Sequence, residues 1–139
     1  MLSKGLIETL GIETLVSKRD HVEMRMPISS CVLQPFGFLH GGATIALLES
    51  AASIGAENNA DFEKERPFGI EVHVAHKKSG IKGFVKGVAD LDRVEKNKQY
   101  WNVVAYDDEG DVLSSGYVVT KIVTLARLEE KKREQRAAQ

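Results

Sequence analysis

The chain holds 139 residues, of which 42% are hydrophobic, 28% charged and 6% aromatic. That is the length of one domain, with enough apolar content to bury a core, and it argues against disorder. A basic count of 19 against an acidic count of 20 gives a net charge of −1, a poor match to non-specific nucleic-acid binding. No apolar run approaches the ~18–20 residues a bilayer requires. The N-terminus lacks a secretion signal, and Cys31 has no second cysteine to pair with. These features are read as a soluble cytoplasmic protein.

Apolar residues at Leu2, Leu6, Ile7 and Leu10 predict a short N-terminal helix over about 2–10, with Ser3 as a cap and Gly11 beyond its end. Residues 12–28 read as extended, with Val22, Met24 and Met26 alternating against Glu23 and Arg25. Ser29 to Gly42, with Pro35, Gly37, Gly41 and Gly42, reads as a loop running into a helix start. From Gly42 to about Ala56 the residues are small or apolar on nearly every side, the pattern of a buried helix. Glu49 is the one strongly polar residue inside it. Asp61 to Pro67 reads as a charged loop.

Strands are predicted around Ile70–Val74, 81–91, Tyr100–Tyr106 and Val112–Leu125. Ser79-Gly80 marks a turn, Gly83 and Gly87 mark bends or bulges, and Asp107-Asp108-Glu109-Gly110 marks a hairpin. With one strand before the helix and a four-stranded meander after it, the order is that of an α+β domain over residues 1–125, a long sheet curled round one helix. Residues 126–139, rich in Glu, Lys, Arg and Ala, form an exposed helical or frayed tail.

Glu49 is the most informative residue, because carboxylates are rarely buried unless paired. It faces a cleft as a general base, or it pairs structurally with a neighbouring chain. His40-Gly41-Gly42 stands directly before the helix. There, open backbone N–H groups and the positive end of the helix suit an oxyanion, although tight packing alone also explains two glycines. Gln34 and His40 orient a substrate or bond the backbone. Lys77 and Lys78 meet phosphates or form a solvated face. His73 and His76, three apart on a strand, face opposite ways and make no metal pair, and no zinc pattern, Walker loop or serine-hydrolase elbow is present. Gly41 and Glu49 of one helix are separated by ~12 Å along its axis. A carboxylate and an N–H donor that share one carbonyl therefore come from two chains of a symmetric dimer.

The segment Gln34-Pro35-Phe36-Gly37-Phe38-Leu39-His40-Gly41-Gly42-Ala43, followed by Leu47-Leu48-Glu49-Ser50, resembles the hotdog-fold acyl-CoA thioesterases. It is most similar to the branch acting on aromatic acyl-CoA thioesters such as 4-hydroxybenzoyl-CoA, 1,4-dihydroxy-2-naphthoyl-CoA and phenylacetyl-CoA. The resemblance runs from about residue 15 to 125. It implies a hotdog fold, a curved antiparallel sheet wrapped around one long helix. It further implies hydrolysis of an acyl-CoA to a free acid and coenzyme A, with no metal and no cofactor. The catalytic set it implies is Glu49 as nucleophile or general base, Gly41 N–H on the carbonyl, His40 beside the sulfur and Gln34 on the carbonyl or water. Ser53, Gly42, Phe36, Lys77 and Lys78 fall at substrate-binding positions. Lys77 stands where relatives often carry Arg. A homodimer with shared active sites, assembling to a homotetramer, is implied as well. The alternatives weighed against this activity are a hotdog hydratase or dehydratase and a non-catalytic acyl-CoA-binding protein.

Overall fold

A computed structural model describes residues 5–138 of the chain. Helix α1 spans Gly5–Thr9, and strands β1 (Glu13–Ser17) and β2 (His21–Pro27) follow. A loop leads to helix α2 (Gly41–Asn58), then to β3 (Glu65–His76), β4 (Phe84–Glu95), β5 (Lys98–Tyr106), β6 (Val112–Thr124) and helix α3 (Leu125–Ala137). Leu2 and the Ser3 cap lie outside the described residues.

All six strands pair antiparallel in one sheet of order β1-β2-β4-β5-β6-β3. Helix α2 touches every one of them. Six strands spaced ~4.8 Å apart span more than twice the ~10 Å diameter of a helix, so the sheet has to curl round α2 to reach it on all sides. This is the α+β hotdog arrangement.

The strand inventory departs from expectation in three places. The extended stretch before α2 is a hairpin of two strands, with a register shift between Thr14 and Val16. Strand β3 begins at Glu65, inside the expected loop. Pro67 sits within it because β3 is an edge strand, where a missing N–H breaks no ladder on the open side. The last four strands do not form a meander either. Strand β3 pairs with β6 rather than β4, and only β4, β5 and β6 follow one another in the sheet. A turn at Lys96-Asn97, with Lys96 at φ 56°, joins β4 to β5. Gly83 bends the chain at φ +83° as expected. Gly87 makes no bulge; the register shift on β4 falls between Leu91 and Arg93.

The core lies between α2 and the inner sheet face. Leu47, Leu48, Ala51 and Ala52 cluster with Val22, Met24 and Met26 of β2, Val85 and Ala89 of β4, and Trp101 and Val103 of β5. Small residues set the spacing. A Cβ at Gly87 would stand 2.8 Å from Leu47 Cγ, and one at Gly55 only 2.3 Å from the Trp101 ring. Gly55→Ala gains ~1 kcal/mol of helix propensity but forces a fully buried indole aside from a contact this short, at the upper end of the overpacking range, about 2–3 kcal/mol. The expected result is a net loss on the order of 1–2 kcal/mol, read as a lower urea midpoint. An unchanged or raised midpoint would refute this account of the α2–β5 contact.

The apolar character of α2 all round predicts full burial, yet one face is only partly covered. Ile45 and Ala46 are half-buried along the outer groove, and half-buried Ile54 lines that groove while also packing against the core. Helix α3 has no buried residue, and its charges pair along its own surface through Arg127 with Glu130 and Glu134 and through Lys132 with Glu129.

Candidate active site

The loop before α2 folds as a small hairpin pinned by buried Val32 and Leu39. Gln34 N–H donates to Phe38 O at 2.8 Å, His40 N–H to Val32 O at 2.8 Å, and Leu39 N–H to Gly80 O at 2.8 Å. Gly37, at φ +88°, supplies the turn. The Gln34 carboxamide oxygen accepts from Phe36 N–H at 2.5 Å and Phe38 N–H at 3.3 Å. Its amide NH2 is thereby left as the outward donor.

His40 caps α2. Its Nδ1 accepts from Gly42 N–H at 2.8 Å. An accepting Nδ1 puts the proton of the neutral ring on Nε2. Gly42 N–H is therefore occupied by the cap, whereas Gly41 N–H precedes the first helical turn's bonds and has no partner among the described residues.

The two glycines are required for space, since neither has a positive φ. A Cβ on Gly42 would lie 2.9 Å from the His40 ring, and one on Gly41 would lie 2.7 Å from His76 Nε2. His76 was not among the expected site residues. Strand alternation does place it correctly on the face opposite His73. His73 is in register with Tyr117 and stacks on it with ring centroids 4.5 Å apart. His76 faces inward to Ser114, whose Oγ is 2.7 Å from its Nδ1. Buried Ser114 thus fixes the ring, and Nε2 is the nitrogen turned toward the start of α2.

Gln34, Gly41, Thr44, His76 and Ser114 line one cavity of about 220 Å³. Glu49 lines another, an open groove of about 440 Å³ along the outer face of α2, together with Gly42, Ser53, Glu57 and Leu6 and Ile7 of α1. Glu49 is half-buried, with Oε2 against the backbone of β3, where a Cβ on Gly69 would stand 2.5 Å away. It makes no ion pair or side-chain hydrogen bond among the described residues. Within one chain, then, Glu49 and the Gly41–Gln34 pair face different cavities. Phe36, 82% exposed at the loop tip, lines neither.

Lys78 differs from Lys77. Its Nζ lies 2.8 Å from Asp111 and 3.1 Å from Asp107 across the β5–β6 hairpin. Those two contacts, Asp111 foremost, push its pKa up. Lys77 has no side-chain partner among the described residues. Among those residues no helix is long and apolar enough to cross a membrane.

Comparison with known proteins shows the family. The thioesterase superfamily model matches residues 36–114. A 1,4-dihydroxy-2-naphthoyl-CoA hydrolase from Listeria monocytogenes is 35% identical over 109 residues, covering 78% of this chain and 88% of that protein. The proofreading thioesterase EntH from Cronobacter turicensis is 34% identical over 105 residues, 76% of each chain. The crystal structure of a thioesterase variant from Staphylococcus aureus subsp. aureus Mu50 superposes with a TM-score of 0.82 at 31% identity, covering 84% of this chain and 96% of that one. The chain belongs to the thioesterase superfamily. It is a thioester hydrolase of the hotdog type.

Proposed function

We propose that this hydrolase cleaves coenzyme A thioesters of aromatic acids, at a site shared by two copies of the chain. The observation that carries the reading is the separation of Glu49 from Gly41 into two cavities. Each cavity holds half of what thioester hydrolysis needs. In a two-fold dimer, Glu49 of one subunit meets Gly41 of the partner subunit. The aromatic preference is supported by the Listeria relative, a hydrolase of 1,4-dihydroxy-2-naphthoyl-CoA.

The chemistry follows from the groups. Gly41 N–H, at the positive end of α2, holds the carbonyl oxygen as negative charge develops on it. The Gln34 NH2 donates to the carbonyl or to the water. Glu49 attacks the thioester carbon or takes a proton from the water that does. The C–O bond forms and the C–S bond breaks. His40 Nε2–H donates a hydrogen bond to the departing thiolate, which takes the proton that the attacking water gives up. Where Glu49 itself attacks, water then hydrolyses the resulting anhydride to the free acid and restores the carboxylate. Written this way the reaction draws on no metal or cofactor. Ser53, one turn beyond Glu49, helps hold the acyl group or the water. Phe36, projecting from its loop, packs on the acyl group bound against the neighbouring subunit.

The dimer has a physical basis in β3. It is a 12-residue edge strand with exposed Phe68 and Ile70. A long apolar edge left open invites strand pairing. Pairing two β3 strands joins the sheets, sets the α2 helices antiparallel and covers Ile45, Ala46 and Ile54. Two such dimers make the tetramer, and the protein acts in the cytoplasm.

The test is thiol release from a panel of benzoyl-, hydroxybenzoyl-, dihydroxynaphthoyl-, phenylacetyl- and straight-chain acyl-CoAs. Aromatic thioesters should lead; a preference for straight chains would overturn the aromatic assignment. Lys77, with its free charge, is the better phosphate contact. Lys77→Ala should raise KM for acyl-CoA roughly three- to tenfold while leaving KM for the acyl-pantetheine thioester alone, and Lys78→Ala should do less. Equal effects on both thioesters would remove Lys77 from the phosphate site.

A further inference from the structure

Glu49, Ser53 and Glu57 follow one another at intervals of four along α2, and all three line the same groove. They form one stripe on one helix face. Ser53 lies ~6 Å and Glu57 ~12 Å beyond Glu49 along the axis. The wall beside them is apolar, with Leu6 and Ile7 of α1 and Ile54 of α2. An acyl group that leaves Glu49 toward the end of α2 crosses this wall and meets a second carboxylate. Glu57 has no side-chain partner among the described residues. Desolvation by its surroundings moves its pKa upward from the ordinary carboxylate value.

Charge complementarity decides what fits. A wholly apolar acyl end pressed on Glu57 would strip water from a carboxylate and return no hydrogen bond, which is costly. We infer that the groove selects acyl groups bearing a hydrogen-bond donor, a hydroxyl or an amine, at the end remote from the thioester, and that Glu57 accepts from it. This rests on the proposed placement of the thioester carbon at Glu49. With contacts of ~3 Å at each end, the ~12 Å between the two carboxylates leaves roughly 6–9 Å from the thioester carbon to the donor atom. A benzoyl group with a one-carbon para arm ending in a hydroxyl or amine has that reach. Unsubstituted benzoyl stops short, and a plain alkyl chain offers Glu57 nothing.

The experiment uses a matched pair, 4-(hydroxymethyl)benzoyl and 4-ethylbenzoyl, alike in shape and differing by a hydroxyl for a methyl. Each is prepared as the coenzyme A thioester for turnover. Each is also prepared as the non-hydrolysable ketone analogue, with methylene in place of sulfur, for calorimetric binding. The wild-type protein should bind the hydroxymethyl ketone about tenfold more tightly. Glu57→Leu should erase or reverse that preference, and Glu57→Gln, which keeps an acceptor oxygen, should retain part of it. Circular dichroism verifies the fold of each variant. Equal Kd values in the wild type, a preference untouched by Glu57→Leu, or no binding of either ketone overturns the inference. The expected binding preference without Glu49-dependent hydrolysis of either thioester overturns the proposed function and leaves the assignment of Glu57 standing.

Discussion

Glu49→Gln should fold with an unchanged thermal midpoint and lose roughly 10²–10⁴-fold in kcat on an aromatic acyl-CoA, with little change in KM. The stability half of this expectation follows from the environment. Glu49 holds no ion pair or side-chain hydrogen bond among the described residues, so its replacement orphans no donor. The amide is nearly isosteric and keeps the contact over Gly69, where the carboxylate lies against the β3 backbone. The kinetic half follows from the chemistry, because an amide neither attacks a thioester nor accepts a proton from water. A structural glutamate behaves the opposite way, lowering the midpoint while sparing kcat per folded molecule. Thiol release alongside calorimetric melting separates the two, and full turnover in the variant would remove Glu49 from the mechanism.

What could be read from the chain and what could not divides by distance along it. Helix α2 was legible because its pattern is local: small and apolar residues from Gly42 to Ala56, broken only by Thr44, Glu49, Ser50 and Ser53. The alternation of β2 was equally local, and so was the opposed facing of His73 and His76. The start of β3 was hidden because Glu65, Arg66 and Pro67 carry loop chemistry, which an edge strand tolerates. The pairing of β3 with β6 was hidden because a sheet's order is decided by contacts between remote segments. The same reason conceals His76 as a site residue. Its neighbour Gly41 and its partner Ser114 lie far off in sequence, and only the fold turns Nε2 onto the start of α2. Lys78 looked equivalent to Lys77 until the β5–β6 hairpin brought Asp107 and Asp111 to it, from 29 and 33 residues away. Glu57 lies beyond the stretch from Gly42 to Ala56 that read as the helix; its place in the Glu49 groove needs α1 folded alongside.

Mixing Glu49→Gln subunits with Gly41→Val subunits should restore activity that neither variant has alone. Gly41→Val is inactive by geometry, since even a Cβ there would stand 2.7 Å from His76 Nε2, and the larger side chain displaces the imidazole and screens the N–H. In a mixed dimer with sites built across the two-fold axis, one site receives both substitutions and the other receives neither. Random exchange makes half the dimers mixed, each with one of two sites intact, so the expected recovery is about a quarter of wild-type turnover. If Glu49 and Gly41 served one site from the same chain, both subunits of every mixed dimer would be dead and mixing would recover nothing. Co-expression with two affinity tags isolates the hybrid, and light scattering verifies that each variant keeps the assembly of the wild type. A hybrid no more active than its parents would overturn the shared site. The ~12 Å between Gly41 and Glu49 along α2 would then require the carbonyl to be held by some donor other than Gly41.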